Sequence, residues 1–106
     1  MKTLLRFAAL ISLAAPGLAL GKDQVVTQKA KQFSVAEITI AAGDKLVFKN
    51  DDDTSHNVFS SADGSKFNLG IQKPGSESSQ AFAAAGTYEV RCAIHPKMKL
   101  KVTVTP

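Results

Sequence analysis

The chain of 106 residues contains one cysteine, two histidines and two methionines, one of which is Met1. A single cysteine excludes an intramolecular disulfide. It also excludes the usual structural zinc site, which wants four Cys or His ligands where this chain has three such residues in all. The Cys-x-x-Cys-His run of haem attachment is missing, and no histidine-rich or methionine-rich tract marks the chain as a bulk metal carrier. Lys/Arg clusters interleaved with aromatics are absent, which argues against nucleic acid. No internal repeat and no low-complexity segment is visible, and beyond residue 20 no apolar run approaches the roughly 20 residues that a membrane-spanning helix needs.

What is present begins with an export signal. Lys2 and Arg6 form a positive start, Phe7 to Leu20 is apolar apart from Ser12, and Pro16-Gly17 interrupts it before a run of small residues. Cleavage after Ala19 and cleavage after Gly21 both satisfy the small-residue rule. Taking Gly21 as the last residue removed, residues 1–21 are a signal peptide and 22–106 are one domain. The formal charge of +4 includes Lys2 and Arg6, so the mature chain carries about +2. A domain this small often relies on a staple such as disulfides or a metal. In the oxidising compartment that the signal implies, the periplasm, a lone thiol suggests intermolecular pairing, a reactive group or a metal ligand.

From Val25 onward the pattern is extended rather than helical. Gln32 to Ile40 reads as one strand kinked near Val35, Ala42-Gly43-Asp44 as a turn, and Lys45 to Asn50 as a half-buried strand with Leu46 and Phe48 inward. Asn50 to Ser55 lacks the ligand spacing of a calcium loop and reads as a solvated loop leading to His56 and a short strand. Ser60 to Ser65 and Gln72 to Ser79 read as loops, with Phe67-Asn68-Leu69 between them. Ala81-Phe82 runs into a turn at Gly86. In the last two strands Tyr88, Val90 and Cys92 share one face, and Met98, Leu100, Val102 and Val104 point inward. Lys97, Lys99 and Lys101 point outward, as a solvated face that also discourages edge pairing. Many short strands with frequent turns give an all-β fold, an antiparallel β-sandwich.

The chemistry concentrates in Cys92-x2-His95-x2-Met98. All three side chains are soft or borderline metal ligands, and a tight loop between strands can turn them toward one point. Thiolate and thioether select copper over magnesium or calcium, and two histidines, a cysteine and a weak axial methionine form the recurring electron-transfer set. His56 is the remote ligand that lets one ion cross-link a small sandwich. Each residue alone has a plainer reading: a surface or core histidine, an inert buried thiol, a core methionine. A thiol enzyme pairs its cysteine with a histidine base, but an inward Cys92 so close to a methionine leaves little room for substrate. Copper chemistry on a substrate needs further histidines, and none remain. No catalytic residue is assigned, and the chain reads as a one-electron carrier rather than an enzyme. A copper storage or delivery module is the second reading, and a metal-free interaction domain the third.

At these residues the chain resembles the small blue (type 1) copper proteins, the cupredoxins of the plastocyanin, pseudoazurin and amicyanin group. The Gln32-Phe33 opening, the Ala42-Gly43-Asp44 turn, Phe48-x-Asn50, His56-Asn57-Val58, Ala85-Gly86-Thr87-Tyr88 and Cys92-x2-His95-Pro96-x-Met98 follow the family's order across nearly the whole mature chain. The short loop from His95 to Met98 is most similar to amicyanin. The resemblance implies a Greek-key sandwich and one copper per chain on His56, Cys92, His95 and Met98, with Asn57 bracing the ligand loops. It also implies a periplasmic monomer that docks briefly on redox proteins, a c-type cytochrome or a dehydrogenase. Docking is expected near His95, in an apolar patch of Ile94, Pro96 and Phe59 or Leu69. Two departures stand out. Ile94 replaces a proline, so its N–H is free to donate to the Cys92 sulfur, and Lys97 replaces an apolar residue beside the exposed end of the site.

Overall fold

A computed structural model describes residues 21–61 and 66–106. The expected signal up to residue 20, and residues 62–65 of the expected loop, lie outside them. Among the described residues the chain forms nine strands: β1 (Asp23–Lys29), β2 (Gln32–Phe33), β3 (Glu37–Ala41), β4 (Lys45–Asn50), β5 (His56–Ser60), β6 (Phe67–Gln72), β7 (Glu77–Ala81), β8 (Gly86–Arg91) and β9 (Lys99–Thr105). They make two sheets, ordered β2-β1-β4-β7 and β3-β9-β8-β5-β6.

Alternation explains the core. Leu46 and Phe48 from β4, Tyr88 and Val90 from β8, Cys92 just beyond it, Met98, and Leu100, Val102 and Val104 from β9 are all buried. Their neighbours Lys45, Lys49, Glu89, Lys97, Lys99 and Lys101 are exposed, as a period of two requires when one face of each sheet meets the other. Aromatic side chains fill the space between, with Phe33 edge-on to Phe48 at 6.2 Å and Phe67 edge-on to Phe82 at 5.7 Å. The Tyr88 hydroxyl donates to the Ala84 carbonyl at 2.9 Å, which fixes the approach to β8.

Three details differ from the strand pattern. The stretch from Gln32 to Ile40 is two strands in different sheets, not one kinked strand. Phe33 is buried in the first sheet, Val35 is 42% exposed where the chain crosses over, and Ile40 is buried in the second. Such crossings bring strands back beside non-neighbours, so β1 pairs with β4 and β3 with β9 in parallel, and the remaining pairs are antiparallel. Finally, the segment Gln72 to Ser79 is only partly a loop. Gln72 closes β6, and Glu77-Ser78-Ser79-Gln80-Ala81 is the edge strand of the first sheet. A strand with a single ladder partner and one solvated face tolerates this polar sequence.

Topology places the ends of two strands together. β5 starts at His56 and its antiparallel neighbour β8 ends at Arg91, so His56 and Cys92 emerge at the same end of the second sheet. The two sheets are tied there by a buried polar network. Gln28 Nε2 of β1 donates to Gln72 Oε1 of β6 at 2.6 Å, Gln72 Nε2 donates to the Phe48 carbonyl, and Asn50 Nδ2 donates to the Gln72 carbonyl.

The β3–β4 turn is held by Asp44, whose carboxylate accepts the Lys22 and Ala41 amides at 2.8 and 2.9 Å. Those two backbone donors, the Lys22 amide foremost, hold its pKa below the ordinary 3.8. A depressed carboxylate contributes stability above the unfolded value and loses it as the pH falls through the folded one. Urea unfolding between pH 6 and pH 3 should therefore show stability declining below about pH 4. Asp44→Asn should be less stable at neutral pH and should lose less over the same fall in pH.

Candidate metal centre

His56, Cys92 and His95 meet at one point. His56 Nδ1 and His95 Nδ1 lie 3.1 Å apart, and each is 3.9 Å from Cys92 Sγ. The centre of a triangle with those sides is about 2.1 Å from every corner. That is the bond length of a first-row divalent ion to imidazole and slightly short of its bond to a thiolate, near 2.3 Å. The donor set, two imidazole nitrogens and one cysteine sulfur, suits copper. Met98 is buried and follows directly on a turn in which its N–H donates to the His95 carbonyl at 2.9 Å, with Pro96 in the position such turns favour.

Burial separates the three roles. His56 is fully buried and Cys92 is 1% exposed, whereas His95 is partly exposed. Its ring meets the ring of His56 edge-on at 4.9 Å. Beside it is a shallow apolar depression lined by Ile94, His95, Pro96, Lys97 and Lys31. Ile94 is 45% exposed. The wall opposite the loop is thus the β1–β2 turn, in place of the expected Phe59 or Leu69. Leu69 packs against the core instead.

Asn57 organises the loops. Its amide donates to Cys92 Sγ at 3.2 Å, and its Oδ1 accepts the Ala93 amide at 3.2 Å. Its Nδ2 donates to Asn68 Oδ1 and to the Gly70 carbonyl at 2.9 and 3.1 Å. One residue therefore joins the start of β5, the loop after β8 and strand β6. The donor to the sulfur is Asn57 and not Ile94. Immediately after the strand the chain turns away at Ala93, so the Ala93 amide is spent on Asn57 and no Ile94 contact to the sulfur forms among the described residues.

Asp52, in the stretch expected to be a solvated loop, takes part in the site. Its Oδ2 lies 2.8 Å from His56 Nε2, with the Asp52 side chain only 8% exposed. The loop is not free: the Asp52 amide donates to Asn50 Oδ1 at 2.9 Å, and Asn50 Nδ2 donates to the Thr54 carbonyl at 3.0 Å. The Lys31 amide, donating to Oδ2, and the His56 contact hold the Asp52 carboxyl far below the usual range, so it stays ionised. An ionised carboxylate can only accept, so the His56 nitrogen that faces it, Nε2, is the donor, and Nδ1 is the nitrogen turned to the cluster. The one signal in the sequence was Asn50 at the head of the aspartate run, since asparagine caps its own loop two residues on.

A sandwich closed at one end by two imidazole nitrogens and a buried cysteine sulfur defines a cupredoxin. The model of the copper-binding plastocyanin/azurin family matches residues 22–105. Amicyanin-alpha of Methylorubrum extorquens is 34% identical over 109 residues, an alignment covering 92% of this chain and 89% of that protein. Among solved structures, an oxidised point mutant of amicyanin superposes with a TM-score of 0.71 at 29% identity, covering 86% of this chain and 89% of that one. A purple cupredoxin from Nitrosopumilus maritimus superposes at 0.68 and 25% identity, covering 76% and 98%. The chain belongs to the plastocyanin/azurin family of copper-binding proteins, and copper is its cofactor.

Asn57→Ala removes the acceptor of the Ala93 amide and the donor to Asn68 Oδ1 and the Gly70 carbonyl, and one such hydrogen bond contributes about 0.5–1.5 kcal/mol net. The metal-free variant should lose at least that much in urea unfolding, and its Cys92 should react faster with a thiol reagent under native conditions.

Proposed function

We propose that the protein is an exported, periplasmic type 1 copper protein that carries single electrons between redox partners and catalyses no reaction of its own. In this reading residues 1–21 are removed on export and 22–106 work as a monomer. His56, Cys92, His95 and Met98 hold the ion. The observation that carries the reading is the Nδ1, Nδ1, Sγ triangle, which is buried except along one edge of His95.

Copper, when bound, supplies the one-electron couple. The chain supplies a cage held on both sides by backbone and side-chain hydrogen bonds. Cys92 accepts the Asn57 N–H, which disperses charge on the sulfur. His56 is tied off by Asp52 and faces no solvent. His95 is the one member of the triangle with surface exposure, so electrons pass in and out through its ring. The apolar depression around it suits a small, transient contact with a c-type cytochrome or a dehydrogenase, as redox encounters generally are. Lys31 and Lys97 give that depression a cationic border.

The test is the visible and EPR spectrum of the purified protein with Cu(II), followed by voltammetry. The expected outcome is an intense sulfur-to-copper absorption, narrow copper hyperfine splitting and a reversible couple, all lost in Cys92→Ser. Copper should also raise the melting temperature, since a ligand at about 100 times its Kd stabilises the native state by roughly 2.7 kcal/mol. A colourless complex that surrenders copper to a mild chelator, with no reversible couple, would point instead to storage or delivery.

A further inference from the structure

Ala30 and Lys31, the two residues joining β1 to β2, both adopt left-handed backbone conformations, with φ of 53° and 58°. A two-residue hairpin loop of this kind ordinarily holds Asn-Gly, because a side chain with a Cβ is strained in the left-handed region. Strain of this sort persists where the surroundings over-determine it. Here they do: the Lys31 amide donates to Asp52 Oδ2 at 2.8 Å. The same oxygen receives His56 Nε2 at 2.8 Å, while Asp52 Oδ1 accepts the Asp53 amide. Lys31 in turn lines the depression beside His95.

We propose that Asp52 is a positioning residue whose Oδ2 fixes the tautomer and ring angle of His56 and, with the same atom, pins the strained Ala30–Lys31 turn that borders the His95 surface. The proposal rests on the copper reading for its consequence and on the hydrogen bonds alone for its mechanism. Removing the carboxylate releases both attachments together. Histidine ligands depend on such partners, and their loss commonly weakens metal binding 10- to 100-fold. Removing the negative charge also disfavours Cu(II) relative to Cu(I).

The experiment compares wild type, Asp52→Ala and Asp52→Asn at one neutral pH, first without metal. Nitrogen NMR of wild type should show His56 in a single form protonated at Nε2, with the Lys31 amide protected from exchange. Asp52→Ala should show mixed tautomers and at least tenfold faster Lys31 exchange. Asn, which can still accept at the Oδ2 position, should restore both. With copper, Asp52→Ala should bind Cu(II) about 10- to 100-fold more weakly in chelator competition, and both variants should have raised reduction potentials. Should Asp52→Ala fail to fold, Asp52→Asn decides alone: a retained single tautomer with a raised potential supports the role. Wild-type tautomer and exchange in Asp52→Ala, or an unchanged potential in Asp52→Asn, overturns it. A wild-type protein that forms no blue copper complex would sink the electron-transfer reading while leaving the metal-free NMR result to stand or fall separately.

Discussion

The site depends on how two strands far apart in sequence are kept in register where their ladder ends. β5 and β8 are neighbours, yet Phe59 and Arg91 are their single matched pair. Past that point nothing in the sheet itself would hold His56 and Cys92 together. Asn57 takes over: its backbone N–H donates to the sulfur, its side-chain Oδ1 accepts the Ala93 amide, and its side-chain Nδ2 donates to β6. The extension is made of hydrogen bonds with every partner satisfied, which is the condition under which a buried polar cluster rigidifies instead of destabilising. The distance between the segments that carry His56 and Cys92 is thereby set by the fold.

A second tier supports the first. Gln28, Gln72 and Asn50 join the two sheets behind the site, and Asn50 shapes the loop that presents Asp52 to His56. For a domain with no disulfide, this network substitutes for a covalent staple near the place where precision matters most. It also explains how polar side chains as large as Gln28 and Gln72 come to be enclosed: Gln28 Nε2 meets Gln72 Oε1, and Gln72 Nε2 reaches the Phe48 carbonyl and Ser78 Oγ, which leaves Gln28 Oε1 as the one atom of the pair without a partner among the described residues.

Much of this was legible in the residues. Strict alternation in Lys45 to Asn50, Tyr88 to Cys92 and Met98 to Val104 announced strands with one buried face, because burial on a pleated sheet has a period of two. The tight spacing of Cys92, His95 and Met98 announced a cluster, because the short loop limits how far apart these side chains can lie. Three things were hidden. The break at Ser34 to Ala36 keeps an alternating pattern while the chain changes sheets, so periodicity is blind to it. Strand β7 has no apolar residue apart from Ala81, since an edge strand can be held by backbone bonds alone. Asp52 cannot be told from Asp51 and Asp53 by composition. What singles it out is the way Asn50 folds the loop, and loop geometry leaves no periodic trace.

The lone thiol, like the His56 ring, has almost none of its surface open to water. That arrangement has a consequence for traffic. Neither an oxidant nor a second chain's sulfur can reach Cys92 while the loop from Ala93 to Lys97 stays closed, so the folded protein shelters a group that would otherwise cross-link. An incoming ion faces the same barrier. His95 is the one corner of the triangle that touches the outside, so under the proposed function the way in for the ion and the way out for the electron are the same ring, and a molecule resting on it would cover both.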